Sequence, residues 1–198
     1  MRTATDDVVV LLDEEHRPAG TAPRATVHDD STPLHLAFSC YLFDADGLVL
    51  VTRRALAKRT WPGVWTNSFC GHPRPDEPMP DAVRRHARTE LGVEVDDLRL
   101  MLPEFRYRAT DSSGVVENEF CPVWFATTRH ALHPNPDEVM DHRWLTTTEL
   151  GRATAVAPWA LSPWLVGQVA ELAALDGLAA LDRTTDLDHR RADTALAG

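Results

Sequence analysis

The sequence predicts an α+β fold in which helices are added to a mixed β-sheet. Over the first two thirds of the chain, short apolar and β-branched runs alternate with turn residues, which is typical of strands. The final third instead carries two helix-start signals. The 198 residues contain no internal repeat and no linker long enough to separate two domains, so we expect one domain over residues 1–182. The polar, aperiodic residues 183–198 are expected to form a frayed tail.

The predicted strands follow from apolar runs bounded by turn signals. The clearest case is a hairpin in which Asp44, Asp46 and Gly47 separate two apolar runs. The segment Arg53–Phe69 is rich in Trp, Pro, Gly and Asn, so we expect it to be mostly loop. One strand is predicted at Val8–Leu12, and a second follows the turn residues Pro18 and Gly20. Further strands are predicted at Leu36–Phe43, Leu48–Thr52, Leu98–Tyr107, Glu119–Thr127 and His142–Leu145, with a turn at Asp111–Gly114.

Two helices are predicted in the final third from their amino-terminal signals. Thr146 and Glu149 form the sequence pattern of a capping box, which opens a short helix. Ser162 followed by Pro163 places an N-cap and a first-turn proline before a run rich in Leu, Val and Ala. This second helix is expected to extend to about Leu181.

Composition and charge limit the classes of partner. Hydrophobic residues make up 43% of the chain and charged residues 25%, which is typical of a globular protein. The formal net charge of −10 argues against binding to nucleic acid or to an anionic membrane surface. No apolar run approaches the roughly 18 residues that a membrane-spanning helix needs. The amino terminus does not resemble a signal peptide. An anionic small molecule would need a local basic pocket or a metal.

The three cysteines, Cys40, Cys70 and Cys121, are few and odd in number, which does not suit a disulfide framework. A reducing cytoplasm is therefore the expected setting. Cys40 and Cys121 lie in apolar strand runs and are expected to be small buried residues. Cys70 lies in a polar loop beside His72, which suits a reactive thiol. A small buried apolar role for Cys70, or a tetrahedral zinc site that includes it, stays open as an alternative.

Three histidines and two glutamates form a candidate set of metal ligands. Glu117 and Glu119 are two positions apart, and in a strand this spacing places both side chains on one face. Two neighbouring carboxylates repel each other, and a bound cation is the best reason for such a pair. Together with His28, His35 and His72, the set suits Mn, Fe or Zn better than Ca. Solvated surface residues are the alternative interpretation.

A pattern that begins at Gly71 is similar to the Nudix box, a loop–helix–loop that positions metal and diphosphate. The matching residues are Gly71, Glu77, Arg85, Glu90, Gly92 and Val93. Its helix is predicted at Asp81–Leu91, with Gly92 as the end. Hydrolases of that family carry glutamates where this chain has His86 and Thr89, so only Glu90 remains of the carboxylate cluster that would support hydrolysis. An ordinary charged surface helix is the alternative.

Several longer stretches appear in a fixed order and carry a second, more specific resemblance. They are Leu34–Ser39, Leu50–Leu56, Trp61–Ser68, Cys70–Pro73, Phe105–Ala109 and Glu117–Glu119. The sequence strongly resembles the type 1 isopentenyl-diphosphate isomerase family, which has a Nudix fold. The similarity covers about Thr21 to Trp164, and the residues after about Leu181 carry none of it.

The resemblance implies interconversion of isopentenyl and dimethylallyl diphosphate through a tertiary carbocation. It implies that Cys70 and Glu119 are an acid–base pair on opposite faces of the substrate, and that Tyr107 assists near Glu119. Such a cation needs a dry pocket and gains from an aromatic face. Trp164 resembles the family's aromatic wall, although a helix-start residue can also pack against the core. Arg54 and Lys58 match diphosphate-binding positions.

The resemblance also implies two kinds of cation. One Mn or Zn ion would be held by the five-residue set of His28, His35, His72, Glu117 and Glu119. A Mg ion on the diphosphate would be held by Glu90 and the backbone carbonyl of Cys70. One departure concerns the basic lining, because His86 stands where bacterial members carry an arginine directed at the diphosphate.

The expected partner is therefore a small isoprenoid diphosphate, bound by a cytoplasmic monomer with no nucleic-acid or membrane partner. Two other functions compete with this hypothesis. A Nudix hydrolase of a nucleoside diphosphate compound is disfavoured by His86 and Thr89. A binding module without catalysis is disfavoured because it would have no use for Cys70, Tyr107 and Glu119 together.

Overall fold

The computed structural model describes residues 7–175, whose strands form two mixed sheets. The predicted tail at residues 183–198 and the end of the last predicted helix lie outside the described residues. The strands are β1 (Val8–Leu12), β2 (Pro18–Pro23), β3 (His35–Leu36), β4 (Phe38–Phe43), β5 (Val49–Arg54), β6 (Trp65–Thr66), β7 (Phe69–Gly71), β8 (Asp96–Leu102), β9 (Arg106–Thr110), β10 (Val116–Phe120), β11 (Val123–Thr127) and β12 (Val139–Leu145).

The first sheet has the strand order β2-β1-β3-β10-β9, in which only β3 and β10 pair in parallel. Its register places Glu119 opposite His35 on one side and opposite Tyr107 on the other. Side chains of directly opposed residues lie on the same face of a sheet. These three side chains therefore form a row across the first sheet.

The second sheet has the order β12-β5-β4-β11-β8, with β6 added to β5 and β7 added to β4. Strands β4 and β11 pair in parallel, and β7 places Cys70 opposite Ser39. The two sheets are connected directly, because the amide of Ala37 donates to the carbonyl of Phe120 and that of Ser39 to the carbonyl of Pro122. The paired segments β3–β4 and β10–β11 thus run side by side from one sheet into the other.

Three predictions of a single long strand are wrong. Leu36–Phe43 is divided into β3 and β4 at Ala37, and the other two are divided at a proline. The segment Leu98–Tyr107 is divided into β8 and β9 by a turn at Pro103, and Glu119–Thr127 is divided into β10 and β11 at Pro122. Proline has no amide proton to donate to a strand ladder, which explains both interruptions. The segment predicted as mostly loop, Arg53–Phe69, also contains the short strand β6 and the first residue of β7.

Within residues 7–175, three α-helices lie beside the sheets: α1 (Met79–His86), α2 (Thr147–Val156) and α3 (Pro163–Ala174). The capping box before α2 is confirmed, since the Glu149 amide donates to the Thr146 hydroxyl at 3.1 Å and the Thr146 amide donates back to the Glu149 carboxylate at 2.8 Å. The Ser162 cap of α3 is also confirmed by a bond from the Leu165 amide. A single 3-10 turn, Pro158–Ala160, separates α2 and α3.

Strand β4 is buried along its whole length because helices cover both faces of the second sheet. On one face, Tyr41 and Phe43 belong to a core cluster that includes Leu165 and Leu172 of α3. On the other face, alternate residues of β4 join a cluster with Ala82, Val83, Ala87 and Leu91, which belong to α1 and the turn after it. Strand β7, which carries Cys70, and helix α1 both contact β4. The central strand therefore positions both elements.

The predicted helix Asp81–Leu91 is helical throughout, but its second half is a π-helical turn, Ala87–Leu91. This turn buries Glu90 and Leu91 together, which a solvated surface helix would not do. Gly92 ends it as predicted, in the left-handed conformation with φ of 67°. A Cβ at Gly92 would lie 2.7 Å from the carbonyl oxygen of His133.

We expect Gly92→Ala to lower the free energy of unfolding by about 2 kcal/mol or more, because alanine meets both the left-handed backbone and the His133 carbonyl. Urea denaturation measures this loss. Gly114→Ala is the matched control, since Gly114 also has a positive φ but a Cβ there would meet nothing within 4 Å. Equal losses in the two variants would contradict the predicted clash.

Candidate active site

A cavity of about 470 Å³ brings together almost all of the site residues predicted from the sequence. His35 is the exception, because it is fully buried behind the lining residues. The predicted residues that line the cavity are His28, Arg54, Lys58, Cys70, His72, Glu90, Tyr107, Glu117, Glu119 and Trp164. Most come from the two sheets, the turn after α1 and the start of α3, while His28, Lys58 and His72 lie in loops.

Three histidines and one glutamate form a tight cluster at the floor of this cavity. One possible ligand atom from each of His28, His35, His72 and Glu119 lies within 4.8 Å of all the others. Glu119 Oε1 is 3.1 Å from His72 Nε2 and 3.5 Å from His35 Nε2. The other ring nitrogen of His35 is 2.9 Å from the Pro33 carbonyl, which directs Nε2 into the cluster.

Unpaired buried atoms in this cluster show that a cation fits it. Among the described residues, His28 Nε2, His35 Nε2 and Glu117 Oε2 are buried without a hydrogen-bond partner. Buried polar atoms without partners are costly, and a metal ion would satisfy all three. The donors are imidazole nitrogens and carboxylate oxygens, a set that suits a divalent transition metal. The cluster can therefore hold a divalent metal.

The protonation states in the cluster also suit a metal. Burial lowers the pKa of His72 to about 4, so its imidazole is neutral at pH 7 and can act as a ligand. Burial raises the pKa of Glu119, but the neighbouring imidazoles of His35 and His72 outweigh that effect and hold the pKa well below its usual range. Glu119 is therefore a carboxylate at neutral pH.

Glu117 lies at the edge of the cluster. Its Oε2 is 3.3 Å from His28 Nε2, while its Oε1 accepts a hydrogen bond of 2.5 Å from the Thr60 hydroxyl. The carbonyl of Thr60 in turn accepts two bonds from the Arg54 guanidinium, at 2.9 and 3.1 Å. Thr60, which was not predicted from the sequence, thus connects the metal-ligand set to a predicted diphosphate-binding residue.

The Cys70 thiol is held between two polar side chains. Its Sγ lies 3.2 Å from Asn67 Oδ1 and 3.3 Å from Ser39 Oγ. The Asn67 amide is oriented because its nitrogen donates to the carbonyls of Cys40 and Phe69. Burial raises the pKa of Cys70 to about 12, so it is a thiol that carries a proton. The structure does not support the two alternatives for Cys70. It lines the cavity, unlike a small buried apolar residue, and it lies outside the metal cluster, unlike a zinc ligand.

Tyr107 and Glu119 form the other reactive group. The Tyr107 hydroxyl donates to Glu119 Oε2 at 2.9 Å, leaving Oε1 of the same carboxylate to the histidines. Burial and the charge of Glu119 raise the pKa of Tyr107 well above its usual value, so it remains a proton donor. Glu119 therefore lines the cavity. Its Oε2 accepts from the Tyr107 phenol, and its Oε1 faces the two imidazoles.

Trp164 is an aromatic wall of the cavity and also packs against neighbouring aromatic side chains. Its indole nitrogen donates to Asn67 Oδ1 at 3.0 Å, and the residue is only 2% exposed. Its ring centroid lies 5.5 Å from that of Trp61 and 5.5 Å from that of Tyr107. The Arg54 guanidinium carbon lies 5.4 Å from the same ring centroid. Asn67 thus fixes both the wall and the thiol, a role that the sequence analysis missed.

Several basic residues also line the cavity. Arg54 is hydrogen-bonded to Thr60, and Lys58 forms an ion pair with Glu138, so both predicted diphosphate-binding residues already have protein partners. The sequence analysis did not include Glu138. The cavity is also lined by Arg85 of the Nudix-box pattern and by three basic residues that were not predicted: Arg24, Arg59 and Arg74. Six acidic residues line the same cavity, so its charges are mixed: Asp7, Glu90, Glu117, Glu119, Asp137 and Glu138.

Glu90 also lines the cavity, from the π-helical turn. Its Oε1 lies 2.7 Å from His86 Nδ1. Burial raises the pKa of Glu90, but the neighbouring His86 outweighs it and lowers that pKa. Arg85 is bound to Glu77 and to the His72 carbonyl, which ties α1 to the segment that carries Cys70.

Comparison with known proteins connects this geometry to a family. A family model described as NUDIX domain matches residues 33–165. Three curated relatives are each named isopentenyl-diphosphate Delta-isomerase. The one from Agromyces mediolanus is 59% identical over 86% of this chain and 83% of its own length. The one from Kocuria rhizophila is 56% identical over 88% and 97%, and the one from Salmonella paratyphi B is 52% identical over 84% and 92%.

Solved structures are similar at the level of the fold. A structure from Deinococcus radiodurans gives a TM-score of 0.63 at 22% identity, covering 83% of this chain and 98% of that one. A MutT protein from Methanosarcina mazei gives a TM-score of 0.53 at 16% identity, covering 77% and 95%. The predicted α+β, Nudix-type fold is confirmed. Among residues 7–175, no helix is long and apolar enough to cross a membrane.

Proposed function

We propose that this chain, which belongs to the NUDIX domain family and within it to the isopentenyl-diphosphate Delta-isomerases, interconverts isopentenyl diphosphate and dimethylallyl diphosphate. The family resemblance seen in the ordered motifs is thus confirmed. One observation carries the proposal. A protonated thiol on β7 and a carboxylate on β10 reach one cavity from two different sheets, with an indole face beside them.

The reaction moves a double bond by moving two protons. A proton adds to the terminal carbon of the alkene, which leaves a positive charge on the tertiary carbon. Loss of a proton from the adjacent methylene then forms the new double bond. One group must give a proton and another must take one, and the two groups exchange roles in the reverse direction.

Cys70 and Glu119 can fill these two roles. The raised pKa of Cys70 and the lowered pKa of Glu119 leave a proton on the thiol and none on the carboxylate at pH 7, so the pair has the one-proton complement that the reaction needs. Ser39 and Asn67 hold the sulfur in place, and Tyr107 holds Oε2 of the carboxylate. We therefore assign Cys70 and Glu119 as catalytic residues, with Tyr107 as the assisting donor.

The remaining residues hold charge and exclude water. Trp164 lines the cavity and is assigned to the tertiary cation, although the Arg54 guanidinium already lies over its ring. Arg54 and Lys58 are assigned to the diphosphate, for which Lys58 must leave Glu138. We propose that the histidine cluster with Glu117 and Glu119 holds Mn or Zn, and that Glu90 and the Cys70 carbonyl hold Mg. When bound, these cations supply positive charge that fixes the carboxylates and neutralises the diphosphate.

All of the assigned residues lie between His28 and Trp164 of one chain. We therefore propose that a monomer with one domain over residues 1–182 suffices for activity. We also propose a reducing compartment such as the cytoplasm, because Cys70 must remain a thiol.

The function is tested by NMR, with isopentenyl diphosphate, the metal-loaded protein and added Mg. We expect the signals of dimethylallyl diphosphate to appear while no phosphate is released. Appearance of inorganic phosphate or pyrophosphate instead, with no isomer formed, would favour the hydrolase alternative. Binding of substrate without any reaction would favour the binding module.

Removal of the cluster metal should remove most activity. Chelation followed by dialysis should release about one divalent ion per chain, because the cluster offers one group of ligands. Mn or Zn should restore turnover, with Mg still required separately for the substrate. Elemental analysis and the NMR assay measure both quantities, and full activity of the metal-free protein in Mg alone would contradict the assignment.

Trp164→Leu tests the aromatic wall. Leucine retains much of the apolar contact but removes the π face, so the loss should appear in kcat more than in KM. We expect roughly 1–3 kcal/mol, which corresponds to about a 5- to 150-fold lower kcat. Trp164→Phe should retain more activity, because a smaller π face remains. If both variants lose only substrate affinity and to the same extent, Trp164 is a packing residue.

A further inference from the structure

Thr60 lies between the Glu117 carboxylate and the Arg54 guanidinium and contacts both. The residue is buried, and it belongs to the loop that connects β5 to β6. Its hydroxyl donates to Glu117 Oε1 at 2.5 Å and accepts from Arg54 Nη2 at 3.1 Å. Its carbonyl accepts from Nε and Nη2 of the same guanidinium, at 3.1 and 2.9 Å. One residue therefore joins Arg54 of the second sheet to Glu117 of the first.

The direction of these hydrogen bonds is fixed by the chemistry of Arg54. A guanidinium can only donate hydrogen bonds, so the Thr60 hydroxyl must accept from it. The single proton of the hydroxyl is therefore left for the Glu117 carboxylate. Both capacities of the hydroxyl are used, and valine, which has nearly the same shape, could neither donate nor accept.

The bond to Thr60 determines how the Glu117 carboxylate is oriented. With Oε1 held by the hydroxyl, Oε2 lies 3.3 Å from His28 Nε2. Among the described residues, Glu117 Oε2 and His28 Nε2 are both buried without a hydrogen-bond partner. A group that holds a ligating side chain from outside typically changes metal affinity by about 10- to 100-fold when it is removed. Thr60 therefore orients the Glu117 oxygen that a cation in the cluster would meet.

Thr60 also holds the Arg54 guanidinium by one edge. Nε and Nη2 are bonded to Thr60, whereas Nη1 has no hydrogen-bond partner within residues 7–175. Arg54 lines the cavity, so the N–H groups of Nη1 are available to an anion there. A planar guanidinium that is already fixed loses less freedom when it binds an anion.

We propose that Thr60 is a positioning residue shared by the two parts of the site, which orients Glu117 for the cluster metal and Arg54 for the diphosphate. The proposal rests on the proposed function for the identity of these two ligands. Loss of the one hydroxyl should then weaken the binding of both, although Thr60 itself is assigned no contact with either.

The test measures two affinities of Thr60→Val, which lacks the hydroxyl. Zn²⁺ affinity is measured by competition with a coloured chelator, and pyrophosphate affinity by calorimetry in excess Mg²⁺ on protein fully loaded with Zn²⁺. We expect Zn²⁺ binding to weaken by about 10- to 100-fold. Pyrophosphate binding should weaken by about 3- to 10-fold, because the carbonyl bonds to Arg54 remain. Thr60→Ser restores the hydroxyl and should bind both ligands within about threefold of the wild type.

Two matched variants separate this role from a general loss of structure. Thr128 is also buried, and its hydroxyl donates to the Glu94 carbonyl and accepts from the His130 amide, but it does not line the cavity. Thr128→Val should therefore change neither affinity. Glu117→Gln should weaken Zn²⁺ binding, yet bind pyrophosphate as well as the wild type once it is fully loaded.

The proposal is overturned if Thr60→Val keeps either affinity, if Thr60→Ser loses as much as the valine variant, or if Thr128→Val loses both affinities too. It is also overturned if loaded Glu117→Gln shows the same loss for pyrophosphate, because that effect would then pass through the metal ligand and not through Arg54. Thr60→Ala repeats the measurement if the valine variant does not fold. Because isomerisation is not measured, failure here is separate from failure of the proposed function.

Discussion

Cys70→Ala should lower turnover by about 10²–10⁴-fold, the range that a positioned acid or base contributes, while the fold stays intact. The thiol is held by Ser39 and Asn67 at the cavity surface and is not part of the fully buried core, so its removal costs little packing. Cys70→Ser should also be strongly impaired, because a hydroxyl is a much weaker acid than a thiol. The NMR isomerisation assay and thermal unfolding measure the two effects.

The matched control is Cys121→Ala. Cys121 is a fully buried thiol whose Sγ lies 3.4 Å from the same Ser39 hydroxyl, but it does not line the cavity. Its loss should lower stability and leave turnover within a few fold of the wild type. Near-normal turnover of Cys70→Ala, or an equal loss in both alanine variants, would rule out proton transfer by Cys70.

Glu119→Gln should be at least as damaging, because one residue is assigned two tasks. The amide loses the negative charge that faces His35 and His72, and it can no longer take up a proton from the substrate. We expect a loss of about 10³-fold or more in kcat, which excess Mn or Zn does not restore. Turnover at increasing metal concentration measures this directly.

Glu117→Gln separates the two tasks. Glu117 lies beside His28 and accepts from Thr60, but no proton-transfer role is assigned to it. This variant should bind the cluster metal more weakly and regain turnover when metal is added in excess. If excess metal fully restored Glu119→Gln as well, Glu119 would be a metal ligand only.

Much of the fold could be predicted from local sequence signals. The hairpin, the capping box of α2, the Ser162 cap of α3 and the Gly92 stop each depend on a few neighbouring residues, and all are present. The breaks at Pro103 and Pro122 were also visible in the sequence but were outweighed by the apolar runs around them. The π-helical turn could not be predicted, because it depends on packing of Leu91 into the core.

Some residues of the candidate site could likewise be predicted from the sequence, and others could not. Its charged and imidazole residues were predictable from spacing and family resemblance, and the structure brings them together. The residues that hold them were not predictable, because their contacts join distant parts of the chain. Thr60 is 57 positions from Glu117, Lys58 is 80 from Glu138, and Asn67 is 97 from Trp164. Short polar residues such as Thr and Asn carry no distinguishing local pattern.

The parallel pairing of β3 with β10 has a consequence for folding kinetics. Parallel strands distant in sequence close slowly, because loop-closure entropy opposes their pairing until many contacts form. His35 and Glu119 become neighbours only through this pairing. During refolding we therefore expect metal capture to lag behind the formation of local hairpins. Added Mn or Zn should then stabilise the finished protein without accelerating the early phases.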